Sequence, residues 1–161
     1  ACVGVALDLV SACDLRFACN SAYFSIHETN LAMMADLGSL QRLPKWLPEG
    51  LVRELAYTGD RLTAERGEQF GFINQCFDSQ DKMMEHAFIV ARKIASKSPL
   101  AISATKEALN YARSHSIAES LAHTAVLQAA VLDLQDITVA ARAQATKSDA
   151  EFAPVLAHTS L

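Results

Sequence analysis

Glycine and proline are scarce in this chain, six and four among 161 residues, about half the ordinary share. That scarcity argues against a turn-rich β-sandwich. The four cysteines, Cys2, Cys13, Cys19 and Cys76, form no CxxC pair, so the usual spacing of a structural zinc site is missing. Cys2, Cys13 and Cys19 sit among apolar neighbours and read as buried free thiols of a reducing compartment. The five histidines give neither HxxH nor HExxH, and no metal site is expected. There is no run of Lys or Arg, and 14 basic against 18 acidic residues leave a net charge of −4. Nucleic acid and anionic membrane surfaces are therefore not expected partners. No apolar stretch approaches the roughly 18 residues of a membrane span.

Alanine is abundant, at 28 residues, and 51% of the chain is hydrophobic. This composition favours helix, and the length fits one domain or part of a larger one. The chain opens with Ala1-Cys2-Val3-Gly4, without an initiator Met or a basic leader. It starts inside an apolar segment, the pattern expected of the later part of a longer protein.

Residues 4–13 are apolar apart from Asp8 and read as a short buried helix. Residues 15–19 and 22–26 read as two strands about the turn-forming pair Asn20-Ser21, with Glu28 closing the second. A loop with Met33, Met34 and Asp36 leads to one or two helical turns over 37–43, closed by Pro44 and Pro48. A helix over 49–57 ends at Thr58-Gly59. Thr63 caps another that runs to Phe70, and Phe72–Phe77 reads as a strand. Met83, Ala87, Val90 and Ile94 then share one helical face. Ser98-Pro99 starts a further helix, and Ser116–Glu119 is a capping box for one with Ile117, Leu121, Ala125 and Leu132 on one face. The chain is thus mixed α/β up to residue 78 and helical over 79–161, with a boundary near Asp78–Gln80.

Three carboxylates stand beside apolar residues: Asp8 between two leucines, Glu28 after Phe24 and Ile26, and Asp36 after Met33-Met34-Ala35. Carboxylates in apolar surroundings suit general acid–base chemistry. Equally, each could cap a helix or pair with Arg16 or Arg42, and pattern alone does not separate these roles. Trp46 and the Met pair read as packing.

The segment Gly4-Val5-Ala6-Leu7-Asp8-Leu9-Val10-Ser11-Ala12-Cys13-Asp14-Leu15-Arg16 resembles the part of the crotonase (enoyl-CoA hydratase/isomerase) superfamily that follows its glycine-rich oxyanion turn. Ala22-Tyr23-Phe24, Glu28, Asp36-Leu37-Gly38, Leu40–Pro44, Glu54–Gly59, Gly71-Phe72-Ile73 and Lys97-Ser98-Pro99 continue the family order through about residue 150. The resemblance implies an α/β fold, the later turns of a ββα spiral over residues 1–78. A helical C-terminal trimerisation region over 79–161 would follow. Carboxylates at positions 8, 28 and 36 together are most similar to the Δ3,5-Δ2,4-dienoyl-CoA isomerase branch. A hydratase would be expected to show Glu at positions 8 and 28 and Gly at 36.

This likeness implies an acyl-CoA thioester substrate of fatty-acid β-oxidation, with coenzyme A carried on the substrate and no separate cofactor. Asp36 would remove the proton α to the thioester, Glu28 would return one at the far end of the conjugated system, and Asp8 would tune the pair by like-charge coupling. The Val5 amide would be one of two oxyanion donors, although the family places glycines where this chain has Val5, Ala6 and Ala32. Lys147 matches a position that presents Lys to the coenzyme A phosphates of a neighbouring subunit, and Arg42 belongs to a scaffold motif. A homotrimer or hexamer in the mitochondrial or peroxisomal matrix is implied, and Thr159-Ser160-Leu161 resembles a peroxisomal tripeptide without its central basic residue. Hydratase or other crotonase-type acyl-CoA chemistry, and a catalytically silent scaffold, are the alternatives.

Overall fold

A computed structural model describes residues 1–154; the C-terminal tripeptide lies outside the described residues. The chain divides into two compact units, Ala1–Phe88 and Ile89–Leu161.

The first unit is built on short strands. β1 (Cys2–Val3) runs parallel to β3 (Tyr23–Ser25), with Cys2 opposite Phe24 and Val3 opposite Ser25. β4 (Arg61–Thr63) pairs antiparallel with the other edge of β3, Phe24 opposite Leu62. β2 (Phe17–Cys19) pairs instead with β5 (Gln75–Phe77), in parallel, Ala18 opposite Cys76. The two strands flanking Asn20-Ser21 therefore enter different sheets. The Ala22 amide bonds the Cys19 carbonyl at 2.9 Å, which turns the chain without closing a hairpin. β3 ends at Ser25, so Glu28 does not close it. The strand predicted over 72–77 shortens to β5 because Phe72 and Ile73 both donate backbone bonds to the Gly67 carbonyl, at 2.8 and 3.0 Å.

α1 (Val5–Ala12) follows β1 after one residue, and Gly4 makes that possible. Its φ is +57°, and its carbonyl accepts from Leu7 and Asp8 at 2.7 and 3.2 Å, a bend that a Cβ disfavours. α1 buries only the face of Leu7, Asp8 and Ser11, less than the continuous apolar run predicted. α2 (Ser39–Arg42), a 3-10 turn over Leu43–Lys45 and α3 (Glu49–Thr58) come next. α3 stops at Gly59, left-handed at φ +70°, as its C-cap signal predicts. The Thr63 hydroxyl caps α4 (Ala64–Gln69) by accepting from the Arg66 amide at 3.3 Å.

Phe24, Leu43, Leu62, Phe72 and Ile73 lie at the centre of the core of this unit. Phe24 meets Phe72 edge to face at 5.2 Å. Arg16, also buried, spans the core's edge: its Nε donates to the Phe72 carbonyl at 2.5 Å and its Nη1 to the Cys13 carbonyl at 2.6 Å. The guanidinium lies over the Trp46 ring at 4.4 Å. All four cysteines are free. Cys13 is exposed just after α1, and Cys2 and Cys19 are half-buried, so the three are not the buried thiols predicted. Burial, reinforced by Glu68, pushes the Cys76 thiol up to about 11.

α5 (Gln80–Ala95) begins in this unit, where His86 packs against Phe17 and Phe77 at 5.2 and 5.1 Å. The division between units accordingly falls inside α5. The second unit contains α6 (Pro99–Ala112), α7 (Ile117–Val131) and α8 (Leu134–Thr146). Ser98, Ser116 and Asp133 cap them through their side-chain oxygens. The apolar face predicted for α7 is exposed, Ile117 and Leu121 at 81% and 64%, and α7 ends before Leu132. The half-buried line is Ser120, His123, Leu127 and Val131, where His123 stacks on Tyr111 of α6 at 4.0 Å. No single helix among the described residues is long and apolar enough to cross a membrane, and α7 and α8 are bent by 86° to each other.

Phe72→Ala is expected to cost about 3–5 kcal/mol, read from the urea midpoint; a loss below about 1 kcal/mol would contradict the central packing assigned to Phe72. The Glu119 carboxyl accepts from the Ser116 hydroxyl and amide, which holds it below the ordinary 4.5. A lowered folded value means that the box supports α7 above 4.5 and is lost as pH falls through the folded value. Exchange of the Glu119 amide should therefore show an acid-side rise in protection loss that Glu119→Gln abolishes.

Candidate active site

The start of α1 is the centre of the site. A helix begins with amides that have no intrahelical acceptor, and the helix dipole is positive there. Val5 and Ala6 carry the first two of these amides. Val5 is 65% exposed, and its φ is not in the left-handed region, where Gly4 is the residue that needs glycine. The backbone bend thus tolerates Val5 and Ala6.

Glu28 lies over this turn. It opens a 3-10 turn over Glu28–Leu31, and its Oε1 stands 3.0 Å from where a Cβ on Gly4 would sit. Its Oε2 is buried without a hydrogen-bond partner among the described residues, a costly state for a carboxylate oxygen. The turn is pinned to α3: the Thr29 hydroxyl donates to the Ala56 carbonyl at 3.1 Å, and the Asn30 amide group fills the space above Gly59. Ala32 closes the turn at φ +56°, a left-handed conformation in which an alanine costs about 1–2 kcal/mol. His27 precedes the turn, with Nδ1 3.1 Å from Asn30 Nδ2.

Asp8 is one helical turn beyond Val5 and only 4% exposed. Its Oδ1 accepts from the Ser39 amide, itself buried, at 2.7 Å. The carboxylate therefore caps α2 from another helix. It does not pair with Arg16 or Arg42. Arg42 reaches backbone carbonyls and the Ser11 hydroxyl, and Arg16 reaches the carbonyls of Cys13 and Phe72.

Asp36 is exposed, with Ala35 taking the buried position beside it. Its apolar sequence neighbours Met33, Met34 and Leu37 are themselves exposed, so the expected apolar enclosure is absent within this unit. Only Leu37 and Gly38 separate Asp36 from Ser39, and the Asp8–Ser39 bond ties the end of that short span to α1. Two links are thus in place at the start of α1, Glu28 over Gly4 and Asp8 to Ser39, and Asp36 lies three positions before Ser39. Lys147 belongs to the second unit, where it ends α8 exposed and left-handed at φ +53°. Among the described residues no group of His, Cys, Asp and Glu could hold a metal ion. Sequence reasoning missed the Ser39 amide as Asp8's partner, because a backbone donor leaves no side-chain signature.

The enoyl-CoA hydratase/isomerase family model matches residues 1–153. The chain belongs to this family. It is 39% identical over 149 residues to the mitochondrial Δ3,5-Δ2,4-dienoyl-CoA isomerase of Mus musculus, covering 92% of this chain and 46% of that protein. Identity to the peroxisomal Δ3,5-Δ2,4-dienoyl-CoA isomerase of Arabidopsis thaliana is 37%, covering 95% of this chain and 55% of that protein. The crystal structure of an enoyl-CoA hydratase from Mycobacterium tuberculosis H37Rv superposes with a TM-score of 0.89 at 29% identity, over 96% of this chain and 61% of that one. The chain spans about half the length of the relatives it matches, and its fold is the crotonase fold over that span.

Asp8→Ala leaves the buried Ser39 amide without an acceptor and is expected to cost about 1–3 kcal/mol. Asp8→Asn retains an acceptor oxygen and should cost less. Urea titration and exchange of the Ser39 amide check both; unchanged protection in Asp8→Ala would refute the cap.

Proposed function

We propose that the protein is an acyl-CoA isomerase that converts 3,5-dienoyl-CoA to 2,4-dienoyl-CoA by two-carboxylate proton transfer. The observation that carries this reading is the Glu28 carboxylate, set against Gly4 just before α1, with one oxygen buried and without a partner among the described residues. Identity of 37–39% to dienoyl-CoA isomerases supports the substrate class.

Loss of a proton from the carbon next to a thioester places negative charge on the thioester oxygen. Asp36, exposed, takes that proton from C2. The two C=C bonds shift by one position toward the thioester, and Glu28 delivers a proton to C6, so one proton leaves and one arrives. The Val5 amide, at the positive end of α1, donates to the oxyanion, an interaction worth about 3–4 kcal/mol in the transition state. Asp8 holds the span that carries Asp36. Lys147, exposed at the end of α8, is the candidate for the coenzyme A phosphates bound by a neighbouring subunit. Coenzyme A enters and leaves as part of the substrate, and no further cofactor is invoked.

The outward apolar side chains of α7 and α8, Ile117, Leu121, Val126 and Leu134, support a homotrimer or hexamer. The names of the two isomerase relatives support a mitochondrial or peroxisomal matrix location.

Asp36→Asn and Glu28→Gln should each lower isomerisation of a 3,5-dienoyl-CoA by about 10²–10⁴-fold, followed by the absorbance of the conjugated product. Retention of full turnover by Asp36→Asn would overturn the assignment. Faster hydration of a 2-enoyl-CoA than isomerisation would favour the hydratase alternative, and no turnover with no coenzyme A binding would favour the scaffold.

A further inference from the structure

Arg42 makes more defined contacts in the first unit than a solvated arginine would, and one of them is on Leu37, the residue after Asp36. Its Nε donates to the Ser11 hydroxyl at 2.9 Å, and its Nη2 donates to the Asp8 carbonyl at 2.9 Å and to the Leu37 carbonyl at 2.7 Å. Ser11 in turn donates to the Asp8 carbonyl at 2.8 Å. One planar fork thus joins two points on α1 to the Leu37–Gly38 peptide. The guanidinium occupies the space where a Cβ on Gly38 would stand, and Gly38 has φ +108°. Gly38 is required here twice, for the left-handed backbone and for the room.

We infer that Arg42 is a positioning residue for Asp36, a guanidinium clamp that, with the Asp8–Ser39 bond, sets where the Asp36 carboxylate stands relative to α1. The inference rests on the reading of Asp36 as the proton acceptor. The chain just after Asp36 is held at two successive points, by Arg42 at the Leu37 carbonyl and by Asp8 at the Ser39 amide. Arg42 itself supplies no proton and needs no contact with substrate. Lysine cannot replace it, because an ammonium is a point donor on a flexible stem and cannot span Ser11, Asp8 and Leu37 as a rigid fork.

The test compares wild type with Asp36→Asn, Arg42→Ala and Arg42→Lys, each purified as the full chain and checked for folding by circular dichroism and urea titration. A misplaced acceptor reduces rate by about 10²-fold for a displacement near 1 Å, so both Arg42 variants should lose about that much kcat with KM unchanged. Guanidinium chloride at a sub-denaturing concentration should restore much of the kcat of folded Arg42→Ala, while sodium chloride at the same concentration should not. A purely structural role would lower the folded fraction and leave kcat per folded molecule untouched. Full kcat in folded Arg42→Ala, or wild-type kcat in Arg42→Lys, beside an inactive Asp36→Asn overturns the clamp and leaves the function intact. An active Asp36→Asn, or a wild type without isomerase turnover, overturns the function and the clamp together. Should Arg42→Ala fail to fold, Arg42→Lys carries the same comparison of kcat with KM.

Discussion

A carboxylate withdrawn from water is tolerated only where hydrogen bonds replace its hydration, and the placement of Asp8 makes that requirement an organising constraint. Its oxygen takes the Ser39 amide, so burying the acid on α1 fixes the start of α2. The backbone carbonyl of the same residue receives the Ser11 hydroxyl and Arg42. Two polar groups of one residue therefore join α1, the 36–38 segment and α2. The local cost of burying Asp8 is offset only if all of these partners stay in place, which couples the stability of this corner to the geometry of the candidate site.

The opposite side of the site follows another rule. Among the described residues Glu28 keeps one oxygen without a partner, and Ala32 takes a conformation better suited to glycine. Both are local costs, and both lie on one turn held by Thr29 and Asn30 against the end of α3. The surrounding core of Phe24, Leu62, Phe72 and Ile73 is tightly buried and supplies the stability that such a turn spends. Glu28 stands on a turn and Asp36 on a loop, while Asp8 projects from α1.

Much of this was legible in residues 1–78. The order of motifs marked the family, the Thr58-Gly59 stop and Thr63 cap located α3 and α4, and the three carboxylates stood out against apolar neighbours. Legibility failed where pairing is non-local. Residues 17–19 and 23–25 are close in sequence, yet they pair with 75–77 and with 2–3 and 61–63, because Arg16 and Asn74 exchange bonds at 2.8 Å that draw β2 to β5. It failed again on α7, where periodicity identifies an apolar face but does not say whether that face is inside the unit or on its surface.

What the amino-acid order determined by itself was local: glycines at positive φ, hydroxyl and carboxyl caps, and the identities of Asp8, Glu28 and Asp36. These depend on a residue and its immediate neighbours, and they survive without knowledge of distant partners. Tertiary structure decided which carboxylate is buried, which is exposed and which is left unpartnered. It also turned Arg42 from one more basic residue into a link between α1 and Leu37. Those outcomes arise from backbone amides and carbonyls brought together from positions 31 or more residues apart, and every residue carries the same backbone groups, so their pairing is written only in the fold.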